Sequence, residues 1–184
     1  MANQSVISTL LSALGMKKND IKIKENDIKE SKILIAYYSL SGNTKVIAKN
    51  IQKATGGDLF RIETTHQYPD DFNDLVAQIK EEIESGFRPK LITKVINFDK
   101  YETIFIGSPN WWGTITPAVS SFLDSYNFNG KKVIPFITHG KVGAQNTIKD
   151  MTAQCKGAFV LQDGWVGEGS STEGFDAWIE SINY

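Results

Sequence analysis

Ile33-Leu34-Ile35-Ala36-Tyr37-Tyr38-Ser39-Leu40-Ser41-Gly42-Asn43-Thr44 decides the fold of this chain. Ile33 to Tyr38 is an unbroken apolar run of strand length, the pattern of a strand covered on both faces. It gives way abruptly to small hydroxyl and amide residues. Ile47, Ala48, Ile51 and Ala54 then recur at intervals of three and four, which predicts a helix. A strand, a tight polar loop and a helix start in so short a span form an anion site. The first helical N–H groups have no intrahelical partner and carry the positive end of the dipole. Ser39, Ser41 and Thr44 add hydroxyl donors, and Gly42 lets the main chain approach a phosphate. The same residues also suit plain helix capping. No P-loop, no Gly-x-Gly-x-x-Gly fingerprint and no Gly-x-Ser-x-Gly elbow occurs, which argues against a nucleoside-triphosphate loop, a dinucleotide fold and a serine hydrolase.

Outward from this stretch, further strand and helix patterns alternate. Asp58 to Glu63 is a second strand, and an amphipathic helix runs from about Asp70 to Ser85, its apolar face formed by Phe72, Leu75, Val76, Ile79 and Ile83. Phe87 to Phe98 has no clear period and reads as an edge excursion or loop. Thr103 to Gly107 is the third strand, followed by Ser108-Pro109-Asn110-Trp111-Trp112-Gly113, and Thr116-Pro117 opens the next helix. Val133 to Thr138 is the fourth strand, although Pro135 counts against a central position. His139 to Gly143 leads into a helix from Ala144 to about Cys155. Ala158 to Gln162 is the fifth strand, a glycine-rich loop spans 163–171, and a last helix presents Phe175, Trp178, Ile179 and Ile182.

This alternation predicts an α/β three-layer sandwich around a five-stranded parallel sheet, for which 2-1-3-4-5 is adopted as the expected strand order. One domain is expected over residues 32–184. Residues 1–31 form an N-terminal extension, with room for one short helix and with Met16 as a second possible start.

Composition bounds the function. The chain has 184 residues, 41% of them hydrophobic, and a net charge of −1, so nothing draws it as a whole to nucleic acid or anionic lipid. No run approaches a membrane span, and no basic region precedes the apolar stretch Val6–Leu14 as in a secretory signal. The single cysteine, Cys155, excludes an intrachain disulfide, and two scattered histidines make no metal site. A reducing, cytoplasmic setting is the expectation.

In a sheet of this order, ligands sit beyond the carboxyl ends of the strands, where the order reverses. The loops after strands one, three and four meet there. The first suits a phosphate, while the second brings two tryptophans and an asparagine, and the third glycines with a histidine. Together they suit one ligand with a phosphate at one end and a flat heteroaromatic ring at the other.

The three segments Ser39–Thr44, Gly107–Gly113 and Thr138–Gly143, each after a strand, resemble the flavodoxin family and its short-chain flavodoxin-like branch with a Pro-x-Trp-Trp-Gly loop. That resemblance implies bound FMN. Ser39, Ser41, Gly42, Asn43 and Thr44 would hold the phosphate, and Pro109, Asn110, Trp111, Trp112, Gly113, Thr138, His139, Gly140 and Gly143 would border the isoalloxazine. Trp111 or Trp112 should stack on or edge the ring. The chain departs from acidic electron carriers in its near-neutral charge, although residues 157–184 hold five acids and no Lys or Arg. The ring-bordering loops contain no carboxylate, and His139 among them would stabilise an anionic reduced flavin.

The expected function is therefore an FMN oxidoreductase, monomer or homodimer, taking electrons from NAD(P)H or a protein donor and passing them to a quinone-like small molecule or a protein acceptor. No side chain is needed as acid or base. A non-enzymatic one-electron carrier is the alternative, and a flavin-free phosphate-sensing domain the third reading.

Overall fold

The computed structural model describes residues 31–184; the expectations for residues 1–30 lie outside the described residues. The chain runs β1 (Ile33–Tyr37), α1 (Asn43–Thr55), β2 (Asp58–Arg61), α2 (Phe72–Glu84), a 3-10 turn (Phe98–Lys100), β3 (Thr103–Pro109), α3 (Pro117–Asp124), β4 (Lys132–His139), α4 (Thr147–Gln154), β5 (Phe159–Val160), β6 (Trp165–Glu168) and α5 (Phe175–Ser181). All paired strands are parallel, and the sheet order is β2-β1-β3-β4-β5, with β6 also on β4.

The fully buried strands put alternate side chains into two separate cores. Leu34, Ala36, Ile104, Ile106, Val133 and Ile137 pack with Ala118, Val119 and Phe122 of α3 and Met151 of α4. Ile35, Tyr37, Phe105, Ile134 and Phe136 pack with Ile47, Ala48 and Ile51 of α1 and with Phe175 and Ile179 of α5. The sheet is thus covered on both faces, as three layers require. The helix signals act as their chemistry predicts: Thr116 Oγ1 accepts from Val119 N–H (3.3 Å) with Pro117 at the first helical position, and Asp71 caps α2 through the amides of Asn73 and Asp74.

The fifth strand position differs from expectation. Instead of one strand over 158–162 and a loop over 163–171, two short strands share the edge of β4. β5 pairs with Lys132 and Val133, while β6 pairs with Phe136 to His139. Pro135 lies opposite the break. A proline cannot donate to a ladder, and here it sits where β4 has β3 on one side and no paired strand on the other. Gly164 turns the chain at that break. A Cβ on it would lie 2.5 Å from the Pro135 carbonyl oxygen, so the edge can pass only as glycine.

Three smaller differences accompany this one. α4 starts at Thr147 rather than Ala144, because Ala144 C=O is taken by the Thr147 amide and hydroxyl in a turn. The segment 87–98 touches the chain after β2 through one antiparallel bridge, Thr64 to Leu91. Of the apolar face predicted for α2, Ile79 is buried but Phe72 is 72% exposed.

Candidate functional site

β1, β3 and β4 deliver their following loops to one end of the sheet, and these loops enclose a cavity of about 410 Å³. At its polar lip, α1 begins at Asn43 with Gly42 as N-cap. Gly42 holds φ +97°, a conformation that costs glycine little and other residues more. Gly42 brings no capping side chain and the first turn has no acid, so the positive end of α1 faces the cavity with only the Lys45 amide taken by a side chain. Ser39 is buried, and its Oγ accepts from the Lys45 amide (3.3 Å). Thr44 is also buried, with its hydroxyl 2.9 Å from that of Thr138. This bond ties the first loop to the third.

The aromatic side of the cavity is built by the second loop. Trp111 lines it, held edge-on by Tyr38 (centroids 5.7 Å, 85°) and Tyr68 (5.2 Å, 87°). Tyr68 is itself fixed: its hydroxyl donates to Glu82 (2.8 Å), a buried carboxylate that also accepts from Gln78 and lies 2.6 Å from His66 Nε2. Burial and the bond to Glu82 push the Tyr68 phenol well above its ordinary pKa. Burial likewise pushes Tyr38 up to about 12.

Asn110 braces the second loop to the third. Its Nδ2 donates to Gly143 C=O (2.7 Å) and to Gln145 Oε1 (3.1 Å), its Oδ1 accepts from the Gly113 amide (2.9 Å), and its own amide donates to Thr138 C=O (2.7 Å). His139 ends β4 at the cavity wall. Its C=O accepts from Gly169 N–H (2.8 Å), whereas its buried Nδ1 has no partner in the protein. A buried polar atom left so at a cavity wall is a place for a ligand to bond.

Of the residues expected to bind, Ser41, Asn43, Pro109, Asn110, Trp111, Thr138, His139 and Gly140 line this cavity. Ser39, Gly42, Thr44, Gly113 and Gly143 stand behind it, shaping the loops through the contacts above or through positive φ. Trp112 is turned elsewhere: 56% exposed, it lies on α2 with Nε1 donating to Val76 C=O (3.2 Å) and Lys80 over its ring. The second loop therefore offers the cavity one indole.

Lys141, within the third loop, also lines the cavity, and so do Glu168 and Gly169, which lie outside the three loops and were not anticipated. Glu168 corrects the expectation of carboxylate-free surroundings. It arrives on β6, which sets it beside His139 across the ladder. The acid-rich tail of the sequence held the signal, but nothing local showed that this segment is a strand on β4. Among the described residues, no helix is long and apolar enough to cross a membrane.

Comparison with known proteins agrees with this geometry. A family model described as Flavodoxin matches residues 32–182. A flavodoxin from Synechocystis sp. is 28% identical over 149 residues, which is 79% of this chain and 70% of that protein. A solved structure of a candidate flavoprotein from Bacteroides uniformis is 31% identical, with a TM-score of 0.71 over 82% of this chain and 99% of that one. A flavoprotein from Lactobacillus acidophilus, solved in complex with FMN, shares the fold at 23% identity and a TM-score of 0.64, covering 80% of this chain and 97% of that one. With the family match running from the start of the sheet into the last residues, the chain belongs to the flavodoxin family.

Proposed function

We infer that the cavity binds FMN and that the protein passes reducing equivalents from NAD(P)H or a protein donor to a quinone-like or other small acceptor. One observation carries this reading: a helix N-terminus with no acid in its first turn, an indole fixed by two tyrosines, and an orphaned buried imidazole nitrogen converge on one cavity. Its volume of about 410 Å³ falls within the usual range of cofactor sites.

Bound FMN supplies the redox chemistry through its own ring, so the protein's part is to bind and tune. The amides at the start of α1, with Ser41 and Asn43, suit the phosphate. Trp111 presents an apolar aromatic surface to the ring, and the Asn110 brace keeps the second and third loops at a fixed separation. His139 offers a nitrogen at the polar edge. The family match and the FMN-bound Lactobacillus structure support the cofactor.

Glu168 favours the one-electron carrier as the second reading. A carboxylate at the cavity wall opposes negative charge on a reduced flavin, whereas His139 offsets it. A redox titration of the purified yellow protein separates the two readings. Two electrons taken up in one step, with steady-state NADPH oxidation in the presence of a quinone, supports the oxidoreductase. Two well-separated steps without that turnover supports the carrier. Protein that stays colourless after incubation with FMN ends both.

A further inference from the structure

A second depression shares Asn110 and Trp111 with the flavin cavity. Phe72, Leu75, Val76 and Ile79 of α2 close it on one side and Trp112 on the other, enclosing about 280 Å³. Its wall is held at a backbone cost. Trp112 has φ +51°, a left-handed conformation that bulky residues seldom adopt and that persists only where the surroundings enforce it. Those surroundings are the bond from its indole to Val76 C=O (3.2 Å) and the Lys80 ammonium 5.5 Å from the ring centroid. The strained turn thus lays an aromatic face along α2. Phe72, at the start of the same helix, is 72% exposed at the lip.

Most of the hydrogen-bonding capacity of this groove is spent, the Trp111 indole N–H being the exception among the described residues. Asn110 is its one polar side chain by nature, and both ends of that amide are engaged with Gly143, Gln145 and Gly113. The indole N–H of Trp112 is taken by Val76. A sugar, nucleotide or peptide backbone laid here would lose many bonds to water and find few in return, a cost of order 1–3 kcal/mol for each unpaired group. The groove lies just below the usual size of a drug-like site. A small, flat, uncharged aromatic molecule with few polar groups suits its size, its scarcity of donors and its aromatic wall.

We propose that this groove is the acceptor subsite, taking a planar uncharged quinone of one or two fused rings against Trp112, with Trp111 as the wall it shares with the flavin. This rests on the assignment of the neighbouring cavity to FMN. Reduction of a quinone held there consumes two electrons and two protons and yields the hydroquinone. Anionic reduced FMN releases two electrons and one proton on reoxidation, and solvent water supplies the second proton, so the exchange balances.

The test is a titration of the oxidised, FMN-loaded full chain with menadione, followed by tryptophan fluorescence, in wild type and in the variants Phe72→Ala and Val76→Glu. Phe72 is exposed at a helix start, so its truncation leaves the fold intact; far-UV circular dichroism checks both variants. The expected result is saturable binding that weakens about threefold in Phe72→Ala and about tenfold or more in Val76→Glu, with FMN affinity and the flavin spectrum unchanged. Menadione affinity equal in all three folded proteins overturns the subsite, as does competition between menadione and FMN for one cavity. If FMN fails to bind while menadione binds and responds to Val76→Glu, the flavin assignment falls and the aromatic site stands. If FMN binds and menadione does not, the subsite alone falls.

Discussion

The hydroxyls of Thr44 and Thr138 lie 2.9 Å apart, buried, although 94 positions separate them in the chain. One opens α1 and the other closes β4, so the bond joins the loop suited to phosphate to the loop suited to the flavin ring. Removing either hydroxyl leaves the other buried without its partner, whereas removing both leaves two apolar groups of similar shape. Thr44→Val or Thr138→Val should each destabilise the fold by about 1–3 kcal/mol, and the double variant by less than their sum. Urea unfolding of the four proteins measures this, and strict additivity would contradict a direct bond.

Asn110 reaches from the second loop to the third segment with two side-chain bonds, to Gly143 and Gln145, and holds its own loop with a third, from Gly113. Asn110→Ala should weaken FMN binding about tenfold, near 1.4 kcal/mol, chiefly through faster dissociation as the loops separate. Asn110→Asp keeps the acceptor for Gly113 and loses the donors, so an intermediate affinity is expected. Flavin fluorescence recovery on dilution reads both rates.

The two adjacent tryptophans should behave differently. Trp111 lines the proposed flavin cavity between Tyr38 and Tyr68, and Trp112 lies over α2. Trp111→Ala should therefore abolish most quenching of flavin emission and weaken FMN. Trp112→Ala should change both much less. Equal effects would mean that the second loop sits otherwise in the loaded protein.

Gly107 has a purely steric role. A Cβ there would lie 2.2 Å from Cζ of Phe136, whose ring is fully buried, and 2.9 Å from Cβ of Tyr37. Gly107→Ala should cost about 1–3 kcal/mol by overpacking, seen as a lower thermal midpoint. A midpoint equal to wild type would show that Phe136 has room to move.

Alkaline stability follows from the buried phenols. Burial raises Tyr38 from an ordinary value of 10.0 to about 12 in the folded protein. A pKa raised by folding means that the neutral form is favoured in the native state. Its stabilising effect is complete below pH 10 and is lost as the pH rises from about 10 towards 12. Burial raises Cys155 from 9.0 to about 12 as well, so its share begins to fall near pH 9. Tyr38→Phe should flatten the loss of stability between pH 10 and 12 in denaturant titrations across that range, while an unchanged slope would place the phenol in water when folded.

Much of the architecture is legible because its determinants are local. The apolar run Ile33–Tyr38, the Thr116-Pro117 cap and the stop at Gly86 each act within a few residues, through burial, orphan amides and a φ of +66°. Phe72 shows the limit of such patterns. It has the spacing of a core residue on α2 but stands exposed, because periodicity names a face without naming what covers it.

By itself, then, the sequence determined the alternating strands and helices and the polar or aromatic character of the loops between them, since hydrophobic period and capping are properties of neighbours in the chain. Only the tertiary structure decided that Trp111 rather than Trp112 faces the cavity, that β5 and β6 divide one edge around Pro135, and that Glu168 stands beside His139. These depend on backbone dihedrals within one loop and on register between distant segments, which are set by the packing of the whole and not by any stretch of it.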